Sequence, residues 1–445
     1  MTPTVEGDAE PLVLAVHPTR EVRSVRTADA RRLLREGAVR WSSIGQPGAR
    51  MRVVTGGLPP GMDVPGARNS ATTAAALGQV HRRDDTVALV PASAVDSRVR
   101  VLRVGRVHPL RSPATYPLDV PAAAPPGAVV TLTVVGDVML GRGVGDLLEV
   151  VADPAAALRP LAQRLAAADI TVGNLESTLS MNGEPTQGDD SFAASPRVRA
   201  GLRLAGFDVL SLANNHVGDY GPLAMTETFA RLSGFGVVGA GRNLRAARRA
   251  LVLERNGTRI GFLATESIGE TPAATARTPG TNRLDMPPRT GPLDRAALGR
   301  VAGDVRRLAA RVDTVVVLPH WGTQYTHQPE PIQRRVARVL ARSGADLVLG
   351  GHPHWVQGWE SVRGASGGRT TVVHSLGNFV FDMDFMEQTQ EGLFVEVVLW
   401  DGQVMAVEPV PYVIGADFAP RRVGGVRGQA ILADAWSTSG APWGR

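Results

Sequence analysis

The 445-residue sequence contains no cysteine and no lysine, and only 5% of its residues are aromatic. Without cysteine, disulfides and thiolate metal sites are excluded. Any metal ion must therefore be bound by His, Asp, Glu or Asn side chains. Every permanently cationic side chain is an arginine, which is typical of a GC-rich genome. Individual arginines remain candidates for binding carboxylates or phosphates, because a guanidinium group binds both through two parallel hydrogen bonds.

Long apolar runs are also missing. Arg, Asp or Gly interrupts each apolar run well before it reaches the length that spans a bilayer, so the sequence predicts no transmembrane helix. The polar and acidic residues after Met1 do not resemble a signal peptide. Membrane association is therefore expected only if a leader or an anchor has been removed from the chain.

The chain length predicts two domains. Residues 121–128, rich in Pro and Ala, predict a stiff linker between them. This divides the chain into a smaller α/β lobe at 1–120, a larger domain at 129–415 and a C-terminal tail at 416–445.

Short apolar runs recur in the larger domain, and polar residues follow nearly every one. Runs of Val, Leu and Ile without alternation predict strands buried on both faces, and the amphipathic stretch 329–344 predicts a helix between two of them. This order favours βαβ units, whose ligands bind beyond the carboxyl ends of the strands. The dipeptides Asn256-Gly257 and Asp401-Gly402 predict hairpins over 251–265 and 393–410, and hence a mixed sheet.

Six potential metal ligands lie at these strand ends, and they combine carboxylate, amide and imidazole groups. They are Asp137, Glu176, Asn215, His320, His352 and His354. This mixture suits Mn, Fe or Zn better than Ca or Mg. A lone histidine is more often structural than a ligand, but six coincidences at strand ends favour a metal site.

Six motifs in this order resemble those of the CapA family of capsule (poly-γ-glutamate) synthesis proteins. They are Gly136-Asp137-Val138-Met139-Leu140-Gly141-Arg142, Asn174-Leu175-Glu176, Ser211-Leu212-Ala213-Asn214-Asn215-His216 with Asp219-Tyr220-Gly221, Pro319-His320-Trp321-Gly322, Gly351-His352-Pro353-His354 and Ser375-Leu376-Gly377-Asn378-Phe379. The resemblance covers residues 129–415. Because that family resembles the calcineurin-like metallophosphoesterases, it implies an α/β fold: a two-sheet α-β-β-α sandwich preceded by a smaller α/β lobe.

The resemblance also implies roles for individual residues. The six donors become ligands of one or two divalent transition-metal ions (Mn, Fe or Zn), with Glu176 bridging. His216 would face the substrate as a proton donor or as a stabiliser of developing charge, and Asp219 would orient it. Arg142 would bind an anionic group of the substrate, with an ordinary surface arginine as the alternative.

One position departs from ordinary phosphoesterases, which carry Asp-x-His after the first strand. Met139 stands at the His position here, as in the rest of the CapA family. One nitrogen ligand is thereby lost, so activation of water by two metals is a weaker expectation than metal binding itself.

Together with these residues, the resemblance implies a metal-dependent hydrolase or transferase that acts on an anionic cell-envelope substrate, either a phosphoester or a γ-glutamyl polymer. The alternative is a non-catalytic polymer-binding subunit of a capsule synthesis or export system. His216 favours the enzyme and Met139 favours the binding subunit. We expect other capsule synthesis proteins as partners, no nucleic-acid partner, and an extracytoplasmic location. An intracellular phosphodiesterase is a third possibility.

The front segment is less informative. Residues 12–18, 40–45 and 87–118 resemble part of a periplasmic phosphate-type substrate-binding protein, of which only one lobe is present. Arg68-Asn69-Ser70, with Thr72 and Thr73, could bind an anion at a helix N-terminus. An ordinary helix N-cap is the alternative, and the sequence favours it.

Overall fold

The structure is a computed structural model that describes residues 9–38, 40–46, 48, 50–121, 127–365 and 367–444. Most of the predicted linker 121–128 lies outside these residues, and so do the first eight residues of the chain. The front segment, residues 9–121, contains helices α1 (Thr27–Glu36) and α2 (Thr73–Val80). Its strands are β1 (Ala9–Val16), β2 (Ser24–Val25), β3 (Arg52–Thr55), β4 (Arg68–Asn69), β5 (Thr86–Pro91), β6 (Arg100–Val101), β7 (Arg103–Val104) and β8 (Asp119–Pro121).

These front strands form a mixed sheet in the order β4-β3-β5-β1-β6, with β8 also paired to β1. Helix α2 begins with a conventional cap, because the Thr72 hydroxyl accepts a hydrogen bond from the backbone N–H of Ala75 at 3.1 Å. This is the N-cap that the sequence favoured over an anion site.

The main domain, residues 127–444, is built from two larger sheets. Its strands are β9 (Val129–Val138), β10 (Ile170–Leu175), β11 (Phe207–Ser211), β12 (Gly236–Val238), β13 (Ala240–Gly241), β14 (Leu251–Arg255), β15 (Thr258–Glu266), β16 (Gly280–Thr281), β17 (Thr314–His320), β18 (Leu347–Leu349), β19 (Trp359–Arg363), β20 (Arg369–Val373), β21 (Asn378–Val380), β22 (Glu391–Trp400), β23 (Gln403–Ile414) and β24 (Pro420–Arg422). Its helices are α3 (Arg142–Val150), α4 (Arg159–Leu165), α5 (Arg199–Leu204), α6 (Gly221–Arg231), α7 (Leu244–Ala247), α8 (Arg295–Ala309), α9 (Pro331–Arg342) and α10 (Gly425–Ser437).

The first sheet runs β12-β11-β10-β9-β22-β23-β24, with β21 also paired to β9, and the second runs β14-β15-β17-β18-β20-β19. The strands β9 to β12 are parallel, and so are β15, β17, β18 and β20. One apolar core lies between the two sheets, where Val134 and Val172 of the first meet Phe262 and Val316 of the second. The fold is therefore the predicted α/β sandwich.

Helices cover the outer face of each sheet. Side chains of α3 to α6 pack on the first sheet, and side chains of α8 and α9 pack on the second. Helix α9 confirms the prediction over 329–344, since Glu330 forms a capping box with Gln333 and Gly344 takes the left-handed conformation after its end. Both predicted hairpins also form, β14 with β15 and β22 with β23.

The front segment packs directly on the β22–β23 hairpin. The indole N–H of Trp400 donates to the carbonyl oxygen of Leu110 at 2.7 Å, and Nε2 of His108 lies 3.2 Å from Oε1 of Glu408. Val398 and Trp400 belong to the same apolar core as strands β1 and β5 of the front segment. The two parts of the chain are therefore joined by a packed interface as well as by the covalent connection.

Residues after 415, which the sequence predicts to be a tail, contribute to the main domain. They form β24 and α10, and the core between the two sheets includes Ile431 and Trp443, each 1% exposed or less. None of the helices in the described part of the chain is long and apolar enough to cross a membrane.

Candidate metal centre and active site

All six predicted ligands lie at the strand ends where the two sheets meet. Asp137, Glu176 and Asn215 come from the first sheet, at or just after β9, β10 and β11. His320 ends β17, and His352 and His354 follow β18. These three histidines therefore come from the second sheet. Each of the six is at most 2% exposed. The crevice is thus built from both halves of the sandwich.

His320 is the centre of this group. Its Nε2 lies 3.0 Å from Oδ1 of Asn215 and 3.6 Å from Oε1 of Glu176. One ligand atom each from Asp137, Glu176 and His320 lie within 4.8 Å of one another. Two ligands of one transition metal, each at about 2.1 Å, are separated by about 3 to 3.5 Å. These spacings therefore suit a shared ion.

The other two histidines of the second sheet, His352 and His354, lie next to His320. The His352 ring centroid lies 5.0 Å from that of His320 and 5.9 Å from that of His354. Nδ1 of His354 lies 2.8 Å from Oδ1 of Asn378, which orients the ring and leaves Nε2 beside Gln324 at 3.3 Å. The His354 ring is thus held by Asn378 on one side and by Gln324 on the other.

Several buried polar atoms in the crevice have no hydrogen-bond partner among the described residues. They are Oε1 of Glu176 and both ring nitrogens of His352. Each such atom costs about 1 to 3 kcal/mol when nothing satisfies it. A divalent cation would satisfy a carboxylate oxygen and an imidazole nitrogen together. The residues present therefore fit a metal ion.

Asn174 organises the carboxylates, although the motif analysis assigned it no role. Its Nδ2 donates to Oδ1 of Asp137 at 2.8 Å and to Oε2 of Glu176 at 3.1 Å. Its own Oδ1 accepts a hydrogen bond from Nδ2 of Asn214 at 3.0 Å. This chain of amides fixes which carboxylate oxygens remain open, as residues around a metal ligand commonly do.

Burial sets the protonation of the group. It raises the pKa of Asp137 to about 7, with the Glu176 charge adding to the effect, and it raises the pKa of Glu176 to about 7. It lowers the pKa of His320 to about 4 and that of His354 to about 3. The imidazoles are thus neutral, which is the form that binds metal, and a bound cation would displace the carboxyl protons.

His216 lies beside the ligand group and is held from two sides. Its Nδ1 lies 2.8 Å from Oδ2 of Asp219, and Phe192 stacks on its ring with a centroid separation of 3.7 Å. Burial opposes a charged ring here, but the hydrogen bond and the charge of Asp219 outweigh it and raise the pKa of His216. The imidazole can therefore present a proton on Nε2.

Arg142 is neither a free surface arginine nor an unpaired cation. Its guanidinium binds both carboxylate oxygens of Asp382, and its Nη1 lies 3.5 Å from Oδ1 of Asp190. It also lies over the Phe192 ring, 4.5 Å from the centroid. Its charge is thus matched within the chain, and it supports the ring that stacks on His216.

The end of β15 is another strand end that polar residues follow, although none of the six predicted ligands lies there. Glu270 accepts a hydrogen bond from Nδ2 of Asn215 at 2.6 Å and pairs with Arg289 at 2.6 Å. This contact turns the Asn215 oxygen toward His320. The rule that located the six donors, polar residues after a buried strand, would also have found Glu270.

The family comparison matches the region that contains this crevice. The family model of the bacterial capsule synthesis protein PGA_cap matches residues 131–383. The chain belongs to this family. The matched interval, more than half of the chain, contains all six predicted ligands and His216.

One curated relative is named for capsule biosynthesis and another for PGA biosynthesis. The capsule biosynthesis protein CapA of Bacillus anthracis is 29% identical over 288 residues, covering 63% of this chain and 66% of that protein. The PGA biosynthesis protein CapA of Bacillus subtilis (strain 168) is 29% identical over 322 residues, covering 71% and 80%. The chain thus spans about two thirds of the first relative and four fifths of the second.

Solved structures give weaker likenesses. A hypothetical protein from Thermus thermophilus has a TM-score of 0.38 at 20% identity, covering 64% of this chain and 99% of that chain. An ABC-type phosphate transport receptor from Vibrio cholerae has a TM-score of 0.22 at 16% identity, covering 25% and 55%. Scores below 0.5 carry no argument, so the likeness of the front segment to phosphate-binding proteins stays a prediction.

Two features of this PGA_cap chain concern the loops around the crevice. Gly351 passes so close to Asp137 that a Cβ atom there would lie 2.5 Å from Oδ1, and the backbone N–H of His352 donates to Oδ2 at 3.1 Å. His352 and His354 have φ values of 94° and 59°, which residues other than glycine rarely adopt. Such conformations concentrate at functional sites.

Other residues in and near the motifs have hydrogen-bond partners of their own. Met139 is fully buried, and its Sδ accepts a hydrogen bond from the backbone N–H of Gly141 at 3.1 Å. His374 lies 3.2 Å from Glu360, and Nδ1 of His327 lies 2.7 Å from the carbonyl oxygen of Val356. Both histidines thus have contacts with residues other than the six predicted ligands.

Proposed function

We propose that this PGA_cap protein is a metal-dependent hydrolase or transferase that acts on an anionic substrate in capsule or poly-γ-glutamate synthesis. The observation that carries the proposal is the position of Nε2 of His216, 4.0 Å from the unpartnered Oε1 of Glu176. A proton donor and an open ligand atom thus face the same space. A site that only bound polymer would not require a histidine oriented by a buried carboxylate at this point.

The six donors would hold one or two divalent transition-metal ions. Such an ion supplies a Lewis acid that polarises a substrate oxygen and lowers the pKa of a nearby water. Nδ1 of His216 is held by Asp219, so its Nε2 would give a proton to a leaving oxygen or nitrogen, or stabilise the charge that develops there. Phe192 and Arg142 would keep the imidazole in place.

The alternative function is a polymer-binding subunit without turnover. Met139 supports this alternative, because its buried thioether supplies no nitrogen ligand where ordinary phosphoesterases have a histidine. Arg142 does not support this alternative, because the charge of its guanidinium is already matched by Asp382. We therefore favour the enzyme.

The relatives named for capsule and PGA biosynthesis also suggest the setting. We infer that the protein works at the cell envelope beside other capsule synthesis proteins. The substrate would be a phosphoester or a γ-glutamyl polymer, both of which are anionic.

The test measures metal content and turnover on the full chain. Protein purified without chelator, and again after addition of Mn or Zn, is analysed for metal and assayed against a generic phosphodiester and γ-linked polyglutamate. The proposal expects metal-dependent turnover that His216→Gln abolishes at full metal occupancy. The control is His327→Ala, a histidine outside the crevice. Polymer binding without turnover, with Mn and with Zn added, would establish the alternative.

A further inference from the structure

A second concave surface lies away from the six donors, between α7 and the C-terminal half of α8. It has a volume of about 800 Å³, and none of the six predicted ligands lines it. Phe229, Val237 and Leu263 contribute apolar side chains to its floor. We call it the arginine groove, after the lining residues Arg242, Arg245, Arg248, Arg249, Arg307 and Arg311.

The groove carries a large unbalanced charge. Its lining holds six arginines and a single acidic residue, Asp304, a net charge of +5. Asp304 is already paired with two of these arginines. Arg248 donates to both of its carboxylate oxygens, at 2.9 and 3.1 Å, and Arg307 also contacts this carboxylate. These contacts join the end of α7 to α8 and give the groove fixed walls.

Three arginines of the groove are not paired with an acidic residue in the described part of the chain. Arg242, Arg245 and Arg249 are exposed, and their guanidinium groups make no hydrogen bond or ion pair with any residue in the described part of the chain. Cations that line one groove repel one another, and a bound anion would relieve the repulsion. The lining is therefore complementary to a ligand with several negative charges.

The apolar floor narrows the class of ligand. Proteins that bind single-stranded nucleic acids stack the bases on aromatic side chains, and Phe229 is the only aromatic residue among the described residues that line the groove. A chain of carboxylates spaced by methylene groups matches an apolar floor with a cationic rim. Each carboxylate can also take two parallel hydrogen bonds from one guanidinium.

We propose that the arginine groove binds a segment of polycarboxylate chain, at a site separate from the candidate metal centre. The groove thus holds the polymer on the main domain whether or not chemistry takes place at the metal centre. This function goes beyond the proposed catalysis and does not depend on it.

The test compares two variants with the same loss of charge. Arg242, Arg245 and Arg249 are changed together to Gln, and the control changes Arg335, Arg338 and Arg342 to Gln. These three are exposed on α9 and do not line the groove. Binding of fluorescently labelled γ-linked polyglutamate to the full chain is measured by anisotropy at low salt and at about 0.5 M salt.

The groove variant should bind at least about tenfold more weakly, the α9 control should bind like the parent, and salt should weaken the parent's binding. A third variant, with Lys at the three groove positions, should keep part of the affinity, since it keeps the charge but not the paired hydrogen bonds. Thermal melting confirms that each variant is folded.

Three outcomes would overturn the proposal. They are absence of binding by the parent, equal loss in the groove and α9 variants, and equal affinity for inorganic polyphosphate, which would remove the assignment to carboxylates. Metal content separates this proposal from the catalytic one, because the groove variant should keep its metal. Groove-dependent binding by a protein that takes up no metal would refute the catalytic proposal alone.

Discussion

Nε2 of His216 and Oε1 of Glu176 face each other across 4.0 Å, too far apart for a hydrogen bond and close enough to contact one small group between them. Nδ1 of the same imidazole is held by Asp219. The ring therefore has one fixed nitrogen and one nitrogen directed at the candidate metal centre. This division separates the residues expected to hold metal from the residue expected to act on substrate.

Substitutions at the two kinds of histidine should have different effects on metal content. His352→Ala and His354→Ala should lower the metal bound per chain, because each removes a buried imidazole that is predicted to be a ligand. His216→Ala should keep the metal, because burial is outweighed by the hydrogen bond and charge of Asp219, and the raised pKa of His216 favours the protonated ring, which does not bind metal. Elemental analysis of the purified variants measures this, with His327→Ala as the control. Equal metal loss in all three crevice variants would contradict the role given to His216.

Gly351→Ala adds only one methyl group, but it should destabilise the crevice. The added methyl group would lie 2.5 Å from Oδ1 of Asp137, so the loop or the carboxylate must move. We expect a loss of about 1 to 3 kcal/mol in the free energy of unfolding, together with weaker metal binding.

Gly299 is the matched control for this change. It lies within α8, and a Cβ atom there would meet nothing within 4 Å. Gly299→Ala should raise the free energy of unfolding by about 0.5 to 1 kcal/mol, because alanine favours a helix. Urea titration compares the two. A Gly351→Ala variant as stable as the parent, with unchanged metal affinity, would mean that the close approach is unimportant.

The interface between the front segment and β23 should make stability depend on pH. Burial alone would raise the pKa of Glu408, but the hydrogen bond with His108 and the charges of nearby arginines outweigh it and lower this pKa to about 2. The ionised carboxylate therefore stabilises the fold above its ordinary pKa of 4.5. That contribution is lost as the pH falls from 4.5 toward about 2.

Glu408→Gln removes this titration and supplies the test. The fall in unfolding free energy between pH 4.5 and about 2 should be steeper in the parent than in the variant, measured by denaturant titration at each pH. Glu254→Gln, at an exposed position on β14, is the control and should follow the parent. Identical slopes in parent and Glu408→Gln would show that the pair does not contribute.

Removal of the front segment should show how much its interface with the β22–β23 hairpin stabilises the main domain. A fragment of residues 127–445 contains all six donors and should bind metal like the full chain. It should also unfold at a lower temperature and aggregate more readily, because Val398 and Trp400 lose their apolar neighbours. Calorimetry and light scattering measure both effects. A metal-free fragment would mean that the front segment is needed to form the crevice.

The sequence predicted most of the main domain for clear physical reasons. Buried parallel strands need continuous apolar runs, and Asn-Gly and Asp-Gly turns favour hairpins, so the β14–β15 and β22–β23 pairs could be predicted from local signals. The crevice could be located because carboxyl ends of parallel strands meet at one edge.

Contacts set by tertiary packing could not be predicted. The pairing of Arg142 with Asp382 joins residues 240 positions apart, and no local pattern marks it. Burial of α10 against the sheets depends on tertiary packing of Ile431 and Leu432, and the sequence predicted only a C-terminal tail there. The hydrogen bonds of Asn174 depend on side-chain geometry, which a motif alone does not give.

The crevice also constrains the order in which the protein can fold. Asp137 and the backbone of His352 are hydrogen-bonded although they lie 215 residues apart in the sequence. Contacts between residues this far apart in sequence form slowly, and we expect this one to form only when the two sheets come together. Free ion in solution would therefore meet a complete set of donors only in the nearly native chain. Metal uptake should follow folding as a late, saturable step, rather than nucleate it as in small zinc modules.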